Sequence, residues 1–147
     1  MLRAYSSRLL VGSVLVFTGF LVGRLSGPSV ALHAQQGGKV YEIRTYTTPE
    51  GKLDALNARF RNHTMKYFDR HGMKSVGYWT PMDPPLAGNT LIYILEHPSR
   101  EAAKANWAAF QADPDWQKAR TESEAQGKIV TKAESVFVTA TDYSPLK

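Results

Sequence analysis

Residues 90–96 read TLIYILE, and this stretch decides more of the fold than any other. A short run rich in Ile, Leu and Tyr, stopped at His97-Pro98, predicts a β-strand. Alternation places Leu91, Tyr93 and Leu95 on one face and Ile92 and Ile94 on the other. A sheet covered on one side alternates apolar with polar residues, whereas this strand is apolar on both sides. Both faces of its sheet therefore need cover.

Outward from it, residues 40–47 (VYEIRTYT) form another strand, rich in β-branched and aromatic types and ended by Thr48-Pro49. Across residues 52–70, Leu53, Leu56, Phe60, His63 and Tyr67 recur at helical spacing and predict one apolar helix face. Gly72 suits the left-handed cap that ends it. Residues 73–80 (MKSVGYWT) predict a strand, and residues 81–88 (PMDPPLAG) a proline-rich loop. Ser99 caps a helix whose buried side is Ala103, Trp107 and Phe110. Asp113-Pro114 restarts it, with Trp116 and Ala119 inward as far as Gly127. Residues 133–140 (AESVFVTA) supply the last strand. This order predicts an α+β fold of ferredoxin-like β-α-β-β-α-β type, a four-stranded antiparallel sheet with helices on one face. A second copy of the chain is the simplest cover for the other face, so a homodimer packed sheet against sheet is expected.

The chain has 147 residues and no cysteine, which removes disulfides, thiolate nucleophiles and iron–sulfur clusters. Its formal charge of +5 is misleading as a whole. Arg3, Arg8 and Arg24 are the only charged residues before position 35, and from Lys39 onward 15 Lys and Arg face 13 Asp and Glu. The folded part is nearly neutral, so no nucleic-acid partner is expected. Residues 1–34 read as a signal peptide, with a positive start and an uncharged apolar core at 9–23. Ser29-Val30-Ala31 satisfies the small-x-small rule for cleavage after Ala31, and Ala34 is the other candidate site. Export to a periplasmic or extracellular location follows. An uncleaved N-terminal membrane anchor is the alternative, because Arg24 resembles a stop-transfer flank, and a mitochondrial presequence ranks last. Residues 35–39 are a flexible lead into a domain at 40–143.

Four short motifs also carry a resemblance. Tyr41-Glu42-Ile43-Arg44-Thr45-Tyr46, Arg70-His71-Gly72-Met73, Gly77-Tyr78-Trp79-Thr80 and Asp113-Pro114-Asp115-Trp116 occur in the order found in the NIPSNAP family. The chain is similar to that family across nearly all of residues 40–143. What the resemblance implies is a ferredoxin-like fold that dimerises into an α/β barrel. The wider superfamily includes cofactor-free monooxygenases, haem-dependent enzymes and small-molecule isomerases. It brings no catalytic motif, so activity has to be argued from a site.

Among residues able to do chemistry, His63 is the catalytic candidate, because it is the titratable member of an otherwise apolar helix stripe. The competing explanation is a buried histidine satisfied by a tyrosine or a backbone carbonyl. His71 has a structural explanation at a helix C-terminus. No metal site is expected, since no His-x-x-x-His or Glu-x-x-His pair occurs on a helix. No cofactor is expected either; haem is a minor possibility because one axial histidine would suffice. Glu42 and Arg44 share a strand face and suit either a structural ion pair or capture of a substrate carboxylate. Tyr41, Arg44, Tyr67, Trp79, Tyr93 and Trp107 are candidates to line a pocket between helices and sheet, fitted to a small apolar or aromatic molecule. Two functions follow: a small-molecule binder with monooxygenase-like or isomerase-like chemistry, or a non-catalytic dimeric interaction or stress-response module. A cavity of roughly 300 Å³ or more adjoining His63 discriminates in favour of the first.

Overall fold

The central pair of strands is β1 (Val40–Thr47) and β3 (Thr90–His97), flanked by β2 (Lys74–Trp79) and β4 (Lys132–Val138) in the order β2-β3-β1-β4. All pairings are antiparallel. The computed structural model describes residues 38–146, which fall within one unit spanning Gln35–Lys147. The leader at 1–34, with His33, and residues 35–37 of the lead lie outside the described residues.

Register explains the two-sided strand. Glu42 stands opposite Leu95 and Phe137, and Arg44 opposite Tyr93 and Ser135. Leu91, Tyr93 and Leu95 thus share a face with Glu42, Arg44 and Tyr46, and they are buried beneath the helices. Ile92 and Ile94 lie on the opposite face with Ile43, half-buried, beside a Val136 that is 58% exposed. The sequence expectation of a ferredoxin-like sheet with one helical layer is met.

The first helical run is α1 (Leu53–Arg59) and α2 (Met65–Arg70), joined without a break by one π turn at Phe60–Thr64. A π turn accommodates one extra residue, and this shifts the buried stripe. Thr64, not His63, joins Phe60 as a buried residue of the turn, and its hydroxyl donates back to the Arg59 carbonyl at 3.3 Å. His63 is half-buried at the edge of the stripe. The run ends as expected at Gly72 (φ 69°), where the Met73 N–H reaches the Phe68 carbonyl and the Gly72 N–H that of Asp69.

Ser99 caps α3 (Arg100–Ala112) by accepting from the Ala102 N–H. Asp113 caps α4 (Pro114–Ser123) by accepting from the Asp115 and Trp116 N–H groups, with Pro114 in the first turn. Helix α4 stops at Ser123, short of Gly127. Between β2 and β3 a bulge at Ser75/Gly77 sends Tyr78 to the helix side and Trp79 to the outer face.

Phe68 is the centre of the core. Its ring meets those of Phe60, Tyr93, Trp107 and Phe110 at centroid separations of 6.1, 5.9, 5.5 and 5.1 Å. A Phe68→Ala change is expected to lower unfolding free energy by about 3–5 kcal/mol in urea denaturation, because no neighbour can fill the gap without leaving another ring.

Candidate functional site

Glu42 is the polar hub of the helix side. Its side chain is 2% exposed and accepts four hydrogen bonds from four different places. Arg44 Nη1 donates at 2.8 Å and Ser135 Oγ at 2.6 Å to one oxygen. Trp107 Nε1 donates at 2.6 Å and His97 Nε2 at 3.1 Å to the other. Burial would push the carboxyl up, but the hydrogen bonds from His97, Ser135, Trp107 and Arg44 outweigh it and hold the pKa at about 2. Glu42 is therefore a fixed anion that ties β1 to β3, β4 and α3, and not an acid–base group near neutral pH.

That anion fixes Arg44. The guanidinium also donates to the Tyr46 hydroxyl at 3.1 Å and lies over the Trp107 ring at 4.3 Å from its centroid. Burial opposes the charged form, but Tyr46, Tyr93 and Glu42 around it raise the Arg44 pKa and keep it protonated. Burial and the neighbouring Tyr46 likewise raise the Tyr93 phenol well above its ordinary value.

Arg44 forms part of the wall of a cavity of about 210 Å³ between the sheet and the helices. Five aromatic side chains line it: Tyr46, Phe60, Phe68, Phe110 and Trp116. Arg59 and Arg120 complete the charged part of the wall, and no acidic residue lines it. Arg59 is only 5% exposed, donates to Glu124 at 3.0 Å and stands 5.6 Å from the Trp116 ring centroid. Arg44 Nε, Arg59 Nε and Trp116 Nε1 are buried donors without a hydrogen-bond partner. A wider groove of about 570 Å³ opens on the other side of Arg44, walled by Glu42, Trp107, Ser135, Phe137, Arg100 and Lys104.

The residues expected to line a pocket separate into three groups. Arg44 lines both spaces and Trp107 the groove. Tyr93 and Tyr67 are core residues, with Tyr93 packed edge-on to Tyr46 at 5.3 Å and Tyr67 against Trp116 at 6.2 Å. Tyr41 and Trp79 lie on the outer sheet face, Tyr41 opposite Glu96 and Trp79 opposite Ile92, so neither borders the helix-side cavity. The bulge at Ser75/Gly77 is the cause for Trp79, whose ring folds over Gly77. His63 lines neither space; the cavity meets its turn through Phe60 and Thr64, and its volume is below the roughly 300 Å³ used as the discriminator. His71 hydrogen-bonds Asp113 at 2.8 Å, and that bond is the main reason the Asp113 carboxyl is lowered to about 2. None of His63, His71 and His97 borders the cavity, so a haem there would find no axial histidine. Among the described residues no group of three or more His, Asp or Glu is placed to hold a metal ion.

Two residues escaped the sequence. His97, taken with Pro98 as the point where the strand stops, is instead the last residue of β3 and fully buried on Glu42. Extending the alternation of Leu91, Tyr93 and Leu95 by one step would have found it. Arg59 gave no signal, because a basic residue in a helix is ordinarily solvated.

A model of the NIPSNAP family matches residues 41–145. Among solved structures, a NIPSNAP family protein of unknown function from Agrobacterium tumefaciens superposes with a TM-score of 0.65 at 21% identity, over 76% of this chain and 96% of that one. An uncharacterized NIPSNAP-like domain protein from Burkholderia xenovorans gives 0.64 at 16% identity, over 74% and 90%. A monooxygenase from Streptomyces coelicolor, in complex with nanaomycin D, gives 0.50 at 15% identity, over 73% and 91%. At these identities the likeness is one of fold. No curated protein matches the chain.

The Glu42 hub makes a sharp stability prediction. Glu42→Gln leaves four donors facing a neutral amide and is expected to cost about 3 kcal/mol at pH 7 in urea denaturation. A carboxyl lowered from 4.5 to about 2 stabilises the fold fully above pH 4.5 and loses that contribution as the pH falls towards 2. The difference between wild type and variant should therefore be flat above pH 5 or so and vanish near pH 2.

Proposed function

This chain belongs to the NIPSNAP family, and we propose that it binds a small planar aromatic or apolar molecule in the cavity between its helices and sheet. The observation that carries this is a single space of about 210 Å³ with five aromatic rings in its wall. An engineered cavity of about 150 Å³ lined by apolar side chains takes up benzene, so this one suits a substituted ring or two fused rings. Rings offer flat apolar area, and the guanidinium groups offer orientation.

A cavity wall that stabilises an anion also suits reactions passing through an enolate or phenolate, such as cofactor-independent oxygenation or isomerisation. In this proposal Arg44 and Arg59 hold the anion. His63 is adjacent in sequence to the wall residue Thr64 but does not border the space, so it is given no part in holding the ligand. A non-catalytic interaction or stress-response module is the alternative, and the volume criterion points to it, because the cavity is below roughly 300 Å³ and does not border His63; the aromatic lining beside the guanidinium groups is what favours the binder.

The protein is proposed to act as a homodimer. The outer sheet face presents Ile92, Ile94 and Val136 with a half-exposed Trp79, and a second copy packed on it would remove that apolar surface from water. Export with cleavage after Ala31 or Ala34 is proposed from the leader, with intact mass of the protein from its own host as the check.

Binding is tested by titrating naphthalene-based probes against wild type and Ala133→Trp, in which an indole enters the cavity from the β4 side. The variant is expected to lose at least tenfold in affinity, while His63→Asn stays within about twofold, because His63 does not border the space. Unchanged binding in Ala133→Trp would locate the ligand elsewhere. Sedimentation is expected to give a species of twice the chain mass at micromolar concentration; a soluble monomer would contradict the dimer.

A further inference from the structure

The charge distribution of the cavity narrows the ligand class. Three guanidinium groups line the space and no carboxylate does. Behind the wall, Glu42 is matched by Arg44 at 2.8 Å. Glu124 is shared: Arg59 bonds it at 3.0 Å and Arg120 at 3.8 Å. One carboxylate against two guanidinium groups leaves a single positive charge in excess at this end; Arg120 is 56% exposed and hydrated, whereas Arg59 is 5% exposed and has only Glu124 as its counter-ion. A buried cation that shares its counter-ion is stabilised by any further anion entering its low-dielectric surroundings.

The donors agree with the charge. Arg59 uses Nη1 on Glu124, and its Nε is buried without a partner. A guanidinium has five N–H donors in a planar fork that matches the two oxygens of a carboxylate. Trp116 Nε1, in the same wall, is a second buried donor without a partner. The rings of Phe110 and Trp116 lie 4.5 Å apart and tilted by 30°, beside the guanidinium, so apolar wall and cationic end are adjacent.

We propose that the cavity takes a planar aromatic monocarboxylate, its rings among Phe60, Phe110 and Trp116 and its carboxylate at the Arg59 end. This rests on the cavity being a ligand site at all. A neutral arene would leave the excess charge unmatched. A dianion such as a phosphate monoester would bring one negative charge too many into an aromatic-lined space.

The test is calorimetric titration of the full chain at pH 7 with 2-naphthoate and 2-naphthamide, which share a shape and differ in charge. The acid is expected to bind at least tenfold tighter than the amide. Arg59→Met should reduce that ratio below threefold, with the fold checked by circular dichroism. Glu124→Gln keeps the buried cation, removes the carboxylate that competes with the ligand, and should raise affinity for 2-naphthoate at least threefold while leaving 2-naphthamide unchanged. That gain is not produced by a merely structural role, and it decides the matter if Arg59→Met does not fold. Equal binding of acid and amide, or no gain in Glu124→Gln, overturns the charge assignment and leaves the cavity standing. Binding of neither probe at millimolar concentration overturns the cavity as a ligand site and the charge assignment with it.

Discussion

The hydrogen bonds converging on the Glu42 carboxylate are the constraint on which the rest of the helix side depends. A buried carboxylate is costly unless every lone pair is used, and here Arg44, Ser135, Trp107 and His97 use them. These partners come from β1, β4, α3 and β3, so one side chain fixes three strands and a helix relative to one another. Such a network adds little net stability compared with well-packed apolar residues, but it permits one arrangement only. Its consequence for function is the position of Arg44, held between Glu42, Tyr46 and the face of Trp107 at the junction of cavity and groove.

The opposite wall is built by backbone and not by charge. Without the π turn at Phe60–Thr64, a continuous α-helix would bring His63 to the buried stripe in place of Thr64. The extra residue instead sets Arg59, Phe60 and Thr64 along the space. Arg59 then becomes a buried cation held by Glu124 and by the Trp116 ring. Sheet-side Arg44 and helix-side Arg59 thus reach one cavity by different routes, the first through strand register and the second through helix winding.

The outline of the fold was legible because its signals are local and periodic. Two-residue alternation in TLIYILE, the Ser99 and Asp113 caps and the Gly72 terminus correspond to elements where they were expected. The site was legible only in part. Arg44 and Glu42 were found as a same-face pair because strand parity is a sequence property. Tyr41 and Trp79 were expected at the pocket as aromatic residues, but Tyr41 has the opposite strand parity to Arg44, and one bulge, which leaves little trace in sequence, turns Trp79 to the outer face. The helix stripe pointed to His63 for the same kind of reason, since one π turn offsets a spacing argument by a single residue. Arg59 and His97 acquire their roles from partners, Glu124 and Glu42, that lie 65 and 55 residues away. No local pattern encodes such pairs.

The central claim is that the space between Arg44 and Arg59 is a ligand site for an aromatic acid. A crystal structure of the protein purified from its own host, with no ligand added, tests it most directly. The account predicts planar density beside Phe60, Phe110 and Trp116, with an acidic group at hydrogen-bond distance from Arg59. Side chains collapsed into the space, or a ligand bound only on the outer sheet face, would contradict it.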